Sequence, residues 1–133
     1  MIYCLDTDII IEYFRGNEAI KNKIATLGEN DSLGLTWITV YEFFKGICAS
    51  GKYNEEDFLE RIVNASIMLE ASYESSKTGG EIYASLKKSG NLLNDADILI
   101  ASIVKEHGAV LITNNEYHFK RIDGLEIENW LKI

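Results

Sequence analysis

The sequence predicts an α/β domain with a mainly parallel central sheet, flanked by helices in a three-layer arrangement. Short apolar runs of strand length alternate along the chain with longer segments of helical periodicity, and this alternation is typical of parallel α/β folds. An aspartate, which is a poor strand former, directly follows the first apolar run at Asp6. Because ligands of such sheets bind at the carboxyl ends of the strands, we expect a functional site there.

The first half of the chain predicts three strands and four helices. Gly16 and Gly28 are predicted to end the first two helices, since glycine is favoured just beyond a helix C-terminus. Asn54 is the predicted N-cap of the fourth helix and is followed by acids that suit the helix dipole. The predicted strands are 2–5, 32–37 and 67–69, and the predicted helices are 8–15, 18–28, 39–50 and 54–66.

The second half predicts two helices and two strands. A long helix is expected over 73–89, and a further helix over 91–108 is apolar on almost all sides. Such a helix should be buried between other layers. The segment 109–113 predicts a clean strand, and 125–130 predicts a weaker strand at the edge of the sheet.

The composition predicts one domain over residues 1–133, with a packed core and a cytoplasmic location. Hydrophobic residues make up 47% of the chain, which is enough to form such a core. Cys4 and Cys48 both lie in apolar sequence and form no CxxC pattern, which favours a reduced, intracellular protein. The N-terminus lacks a basic start, and Asp6 and Asp8 interrupt its apolar run, so we predict neither a signal peptide nor a membrane span.

The charge and the motif content limit the possible chemistry. A net charge of −8 argues against a protein that binds nucleic acid through a broad basic surface. It is compatible with an enzyme that binds a few phosphates through metal ions. The chain has only two histidines and contains no GxSxG, HExxH or Walker A pattern. Acid–base chemistry would therefore depend on carboxylates or on metal-bound water.

Three acidic residues occupy equivalent positions relative to the predicted sheet. Asp6 ends the first strand, Glu42 lies at the start of the helix after the second strand, and Asp97 lies in the first turn of the buried helix. Each also has a simpler explanation. Asp6 could cap a helix N-terminus, and Glu42 could pair with Lys45 on the surface. Asp97, together with Asp95, could interact favourably with the helix dipole. Because all three are expected at one edge of the sheet, a shared site is the better interpretation.

Carboxylates that converge require protons or a cation. Two of them about 4 Å apart repel by roughly 4 kcal/mol at an effective dielectric of 20. Oxygen ligands without sulfur or imidazole favour Mg²⁺ or Mn²⁺ over zinc. Such an ion binds phosphate oxygens and lowers the pKa of a bound water, so hydrolysis of phosphodiesters is the expected chemistry.

Four segments together resemble a known family. "YCLDTDIII", "TVYEFFKG", "NDADILIA" and "VLITNNEYHF" occur in the order and spacing of the PIN-domain ribonucleases, especially the VapC-type toxins of toxin–antitoxin pairs. The resemblance extends nearly from end to end and implies a PIN-like domain. It also implies a Mg²⁺- or Mn²⁺-dependent endoribonuclease in which Asp6, Glu42 and Asp97 bind the metal and carry catalysis, with an antitoxin partner and a homodimer.

The resemblance also points to supporting residues. Many relatives carry a fourth acid where this chain has Asn115, so the missing charge would have to come from Asp95 or Asp8. Asp95 is kept as a supporting acid, and Asp8 is expected to tune the pocket from the first turn of a helix. Thr7 and Thr39 flank the acids and are expected to orient them by hydrogen bonds. Two lesser roles are also considered. His118 is a candidate for contact with the substrate. Five cations are candidates for contact with phosphate, namely Lys45, Lys87, Lys88, Lys120 and Arg121.

Two other functions remain open at this stage. The "DTD" segment also suggests a HAD-like phosphohydrolase with Asp6 as the nucleophile, although Ile10 departs from the usual pattern of that class and Glu42 has no role in it. The third possibility is a catalytically silent module that only binds a partner protein. This function would not explain the three acids.

Overall fold

The computed structural model describes residues 1–132, which form five strands, seven α-helices and one 3₁₀ turn at Tyr53–Glu55. The strands are β1 (Ile2–Leu5), β2 (Ser32–Thr36), β3 (Ile67–Leu69), β4 (Val110–Ile112) and β5 (Glu126–Glu128). The helices are α1 (Thr7–Phe14), α2 (Glu18–Ala25), α3 (Trp37–Ser50), α4 (Glu56–Ala65), α5 (Tyr73–Ser89), α6 (Asp95–Glu106) and α7 (Glu116–Phe119).

The five strands of the described chain form one parallel sheet in the order β3-β2-β1-β4-β5. The central strand β1 pairs with β2 on one side and with β4 on the other, so the connections run outward in opposite directions from it. In open parallel sheets this reversal opens a crevice at the carboxyl ends of the two strands concerned. Asp6 and Thr113 follow β1 and β4 directly and therefore flank that crevice.

The core lies on both faces of the sheet, which confirms the predicted three layers. Cys4 and Leu111 face a hydrophobic cluster built with α5 and α6, whereas Leu5 and Ile112 face a second cluster built with α1 to α4. The alternation follows from the two-residue period of a strand. Trp130 is 2% exposed and extends the second cluster beyond β5.

Helix α6 bears out the expectation of a buried helix, because six of its residues are buried and only its N-terminal turn and one side reach solvent. The six are Ile98, Ile100, Ala101, Ser102, Ile103 and Val104. It packs against α5, where Gly79 faces Ser102 and leaves no room for a large side chain. Burial of α6 on the sheet fixes the position of its first turn at the carboxyl edge.

Several predicted boundaries were wrong by a few residues. Helix α2 ends at Ala25 rather than at Gly28, because the Asp31 carboxylate accepts the backbone N–H of Gly28 and closes a turn there. Asn54 lies within the 3₁₀ turn and does not cap α4. Trp37, predicted as the end of a strand, begins α3.

The two cysteines differ in exposure. Cys4 is buried in the core, whereas Cys48 is exposed on α3. Its neighbours in sequence are apolar, yet it lies on the outer face of the helix.

Among residues 1–132, the structure contains no helix with both the length and the apolar character needed to span a bilayer.

Candidate active site

Asp6 occupies the carboxyl edge of the central strand and caps the N-terminus of α1. Its Oδ1 accepts a hydrogen bond of 2.9 Å from the backbone N–H of Thr7, and its Oδ2 accepts one of 2.8 Å from the hydroxyl of Thr113. The side chain is only 8% exposed. Burial, followed by the nearby Asp8 carboxylate, raises the pKa of Asp6 to about 7.

Asp8 lies in the first turn of α1, two residues after Asp6, and connects this helix to the segment after β4. Its Oδ2 accepts a hydrogen bond of 3.0 Å from the backbone N–H of Asn114. Its Oδ1 is buried and has no hydrogen-bond partner within residues 1–132. Burial raises the pKa of Asp8, and the charge of Asp97 raises it further. A buried carboxylate oxygen without a donor is costly unless a cation or a proton neutralises it.

Glu42 extends from the second turn of α3 and is partly buried. Its Oε1 accepts a hydrogen bond of 3.3 Å from the hydroxyl of Thr7, as the prediction that Thr7 orients the acids requires. Burial raises the pKa of Glu42 and Asp97 raises it further, while Thr7 and Lys45 oppose the shift. Glu42 is therefore directed into a shared acidic environment rather than out to solvent.

Asp97 lies in the first turn of α6, whose N-cap is Asn94. The Oδ1 of Asn94 accepts the backbone N–H of Asp97 at 2.8 Å. Burial raises the pKa of Asp97, and His118 acts against that shift. The cap fixes the first turn of the helix, and with it the backbone that carries the carboxylate.

Asn115 connects β4 to α7 and binds two of its neighbours. Its backbone N–H donates to the hydroxyl of Thr113 at 2.9 Å, and its Nδ2 lies within hydrogen-bond distance, 2.8 Å, of Nδ1 of His118. Asn115 is thus held at the site by both its backbone and its side chain.

Asp6, Asp8, Glu42 and Asp97 form what we call the carboxylate cluster. The pKa of every member is raised, mainly by burial, and Asp97 contributes to the increase at each of the other three. Carboxylates that share a partly buried edge destabilise one another's ionised forms. The cluster therefore has an excess of negative charge, which a cation would offset.

The members lie within electrostatic reach of one another but are not packed at ligand distance. Within residues 1–132, no three His, Cys, Asp or Glu side chains converge closely enough to hold an ion in their present positions. Completing a coordination shell would therefore require the partly buried carboxylates to change position.

Two of the predicted supporting residues are not drawn into the cluster. Asp95 is exposed, and none of the hydrogen bonds of the described chain joins its side chain to a cluster residue. Thr39 is buried, and its hydroxyl accepts from that of Thr36 at 3.1 Å instead of donating to an acid. The sequence left Asp95 and Asp8 as alternative sources of a fourth negative charge. In the structure, Asp8 belongs to the carboxylate cluster and Asp95 does not.

Sequence reasoning missed two contributors to the site. Thr113 donates to Asp6, and Asn94 caps the helix of Asp97. His118 was considered only for contact with substrate, whereas here it lies beside Asn115. A weak signal existed for Thr113, because it directly follows a strand at the same edge as Asp6. For Asn94 the signal was an Asn three residues before Asp97, which is the spacing of a helix N-cap.

The chain is similar to proteins of known class over nearly its whole length. Residues 3–125 match the PIN domain family. Ribonuclease VapC2 of Rickettsia felis is 30% identical over 99% of this chain and 100% of its own length. Ribonuclease VapC1 of Haemophilus influenzae (strain R2866) is 33% identical over 99% of this chain and 100% of its own.

Solved structures agree with the sequence comparison. The crystal structure of VapBC2 from Rickettsia felis, bound to a DNA fragment from their promoter, contains a chain with 29% identity and a TM-score of 0.90. The similarity covers 98% of this chain and 99% of that one. With the same fold, the same length and the PIN match over residues 3–125, the chain belongs to the PIN-domain family and, within it, to the VapC ribonucleases.

Proposed function

We propose that this protein is an endoribonuclease toxin that hydrolyses phosphodiester bonds of RNA and is neutralised by a cognate antitoxin. The observation that carries the proposal is the carboxylate cluster at the crevice between β1 and β4, in a chain of the VapC ribonuclease family. The acids come from three separate helix starts, which is the arrangement expected of a site built at a strand edge.

The donor set of the cluster fits a divalent cation such as Mg²⁺, with Mn²⁺ able to substitute. The candidate ligands are carboxylate oxygens, and the buried Oδ1 of Asp8 has no protein donor within the described chain. Asp6, Glu42 and Asp97 would hold the ion, with Asp8 and Asn115 as neighbours. When bound, the cation supplies charge for the phosphate oxygens and lowers the pKa of water.

The residues of the chain itself orient the acids for this task. The Thr113 hydroxyl and the Thr7 backbone N–H fix both oxygens of Asp6, and the Thr7 hydroxyl holds Glu42. Because these donors are already in place, little reorganisation is needed when the substrate phosphate arrives.

The phosphohydrolase alternative is not supported. It gives no role to Glu42, whose pKa is raised by the neighbouring Asp97 within the same cluster. The family to which the chain belongs contains ribonucleases of the same length.

The partners follow from the relatives. The solved Rickettsia structure is of VapBC2, and the likeness to VapC-type toxins implies an antitoxin and a homodimer here as well. With a net charge of −8 and an acidic crevice, this chain would attract a basic antitoxin segment.

Asp97→Asn is the direct test. With Mg²⁺ and single-stranded RNA, we expect at least a hundredfold loss of cleavage, because the variant removes one charge from the cluster without changing the size of the side chain. Asp57→Asn is the matched control, since Asp57 is an exposed first-turn acid of α4, remote from the cluster.

The assay must separate this enzyme from contaminating ribonucleases. Wild type and both variants are purified in parallel, and EDTA is added to a duplicate of each reaction. Cleavage by Asp97→Asn at the wild-type rate would contradict the proposal.

A further inference from the structure

Tyr117, Lys120 and Arg121 form an exposed patch at α7, which we call the α7 cation patch. The Nζ of Lys120 lies 5.2 Å from the centre of the Tyr117 ring, and the guanidinium of Arg121 lies 4.7 Å from it. The ring itself is 66% exposed. An aromatic face attracts cations at such distances, so Tyr117 holds two adjacent positive charges close together on the surface.

The two cations are not neutralised by the protein. Among residues 1–132, neither Lys120 nor Arg121 takes part in an ion pair. Asp123 is the nearest acid in sequence, and it forms no ion pair with either cation in the described chain. Glu116, which lies one turn before Lys120, is bound by Lys132 at 2.6 Å and by Asn129 at 3.2 Å. The positive charge of the patch is therefore available to an external anion.

The patch is also partly preorganised. Arg121 donates a hydrogen bond of 3.3 Å to the backbone carbonyl of Asn91. Asn91 begins the short connection that leads to Asn94, the cap of α6. A guanidinium that is already held in place loses less conformational entropy when it binds an anion.

Part of the patch shares a cleft with the segment that binds Asp8. Tyr117 and Lys120 both line this cleft, together with Asn114. The open cleft runs from Asn114, which is bound to Asp8, along α7 to Lys120. A polymer that reaches the cluster along this cleft would pass over the patch.

We propose that the α7 cation patch binds backbone phosphates of single-stranded RNA next to the scissile phosphate. The inference rests on the proposed ribonuclease function and adds the surface that holds the substrate. A chain with a net charge of −8 repels RNA overall, so an uncompensated pair of cations beside the acidic site offers local complementarity. Both contacts are made to phosphate, so the patch adds affinity without reading sequence.

The test uses Lys120→Ala/Arg121→Ala and, separately, Tyr117→Leu. In cleavage assays with Mg²⁺ we expect each to raise KM, the double variant by about tenfold, and to leave kcat within about twofold. Arg61→Ala is the matched control, because the guanidinium of Arg61 lies 5.9 Å from the centre of the Phe58 ring on α4 in the same kind of pair, outside the patch. Thermal unfolding confirms that all variants are folded.

A second measurement follows binding without cleavage. RNA affinity is measured by fluorescence anisotropy in the Asp97→Asn background at several salt concentrations. Each phosphate contact to a single strand contributes about 0.7 to the slope of log K against log salt, so loss of two contacts should reduce that slope by about 1.4.

The outcomes separate this inference from the proposed function. If wild type cleaves RNA but KM is unchanged in either patch variant, the patch inference is overturned and the ribonuclease proposal stands. A loss confined to inhibition by the antitoxin, with KM unchanged, overturns it too and assigns the patch to the protein partner. If wild type cleaves no RNA, the failure lies with the proposed function.

Discussion

Asp6 shows how one residue can serve both structure and chemistry. It caps α1 through Oδ1, while Oδ2 receives the Thr113 hydroxyl from the neighbouring strand. A cap alone explains only the first of these bonds. The second arises because β1 and β4 are neighbours in the sheet, and no pattern near Asp6 in the sequence reports that neighbour.

Asp8 and Asp95 are the residues on which sequence and structure differ most. Both stand two positions from a predicted ligand and in the first turn of a helix. On α1 that spacing directs Asp8 to the Asn114 backbone and into the cluster, while on α6 it leaves Asp95 exposed. The difference comes from what packs against each helix start.

We expect Asp8→Asn to weaken Mn²⁺ binding much more than Asp95→Asn does. Asp8 brings a partly buried charge to the cluster, whereas the charge of Asp95 is screened by solvent. The measurement is the rise in Tm on titration with Mn²⁺, since a ligand of the native state stabilises it in proportion to the logarithm of its concentration over Kd. Equal shifts for the two variants would contradict this assignment of Asp8.

At the scale of elements, helix starts do most of the positioning. The Asn94 cap of α6 fixes the turn that carries Asp97, and α5 begins with a capping box made by Ser72 and Ser75. Both caps have the same energetic role. Only the first lies at the site.

Asn94→Ala and Ser72→Ala form a matched pair that separates stability from function. Each removes a side-chain cap, and we expect each to lower the free energy of unfolding by about 1 kcal/mol. Only Asn94→Ala should lower kcat as well, because it loosens the first turn of α6 beneath Asp97. Urea denaturation and RNA cleavage are compared for both variants, and equal losses of kcat would count against a positioning role for Asn94.

Most element types could be predicted from the sequence, but the short helix α7 and several boundaries could not. The strands and helices follow from hydrophobic periodicity, which burial enforces. The end of α2 depends on the contact between Asp31 and Gly28. The start of α4 depends on a 3₁₀ turn that takes up Asn54, and local preference decides neither.

For the whole molecule, the carboxylate cluster makes stability depend on pH. The pKa of Asp6 is about 7 in the folded protein against 3.8 for an unperturbed aspartate. Between these values the folded chain binds more protons than the unfolded chain. Stability from this group is therefore present below about pH 4 and is lost as the pH rises through 7.

Asp6→Asn should relieve this cost in the metal-free protein. Asn keeps the cap of α1 but carries no charge, so we expect the variant to be more stable than wild type at pH 8, by on the order of 2 kcal/mol. The advantage should disappear near pH 4. Denaturation in the presence of a chelator at both pH values tests this, and a wild type that gains stability from pH 4 to pH 8 relative to the variant would contradict it.

The sequence by itself determined the alternation of strands and helices and the buried character of α6, and it pointed to Asp6, Glu42 and Asp97 as candidate acids, because periodicity and chain order carry that information. Tertiary structure decided which residues surround those acids. The strand order placed Thr113 beside Asp6, and the packing of α1 brought Asp8 to the backbone N–H of Asn114. Both contacts join residues that are distant along the chain, and only the folded sheet brings them within the few ångströms over which hydrogen bonds and charges act.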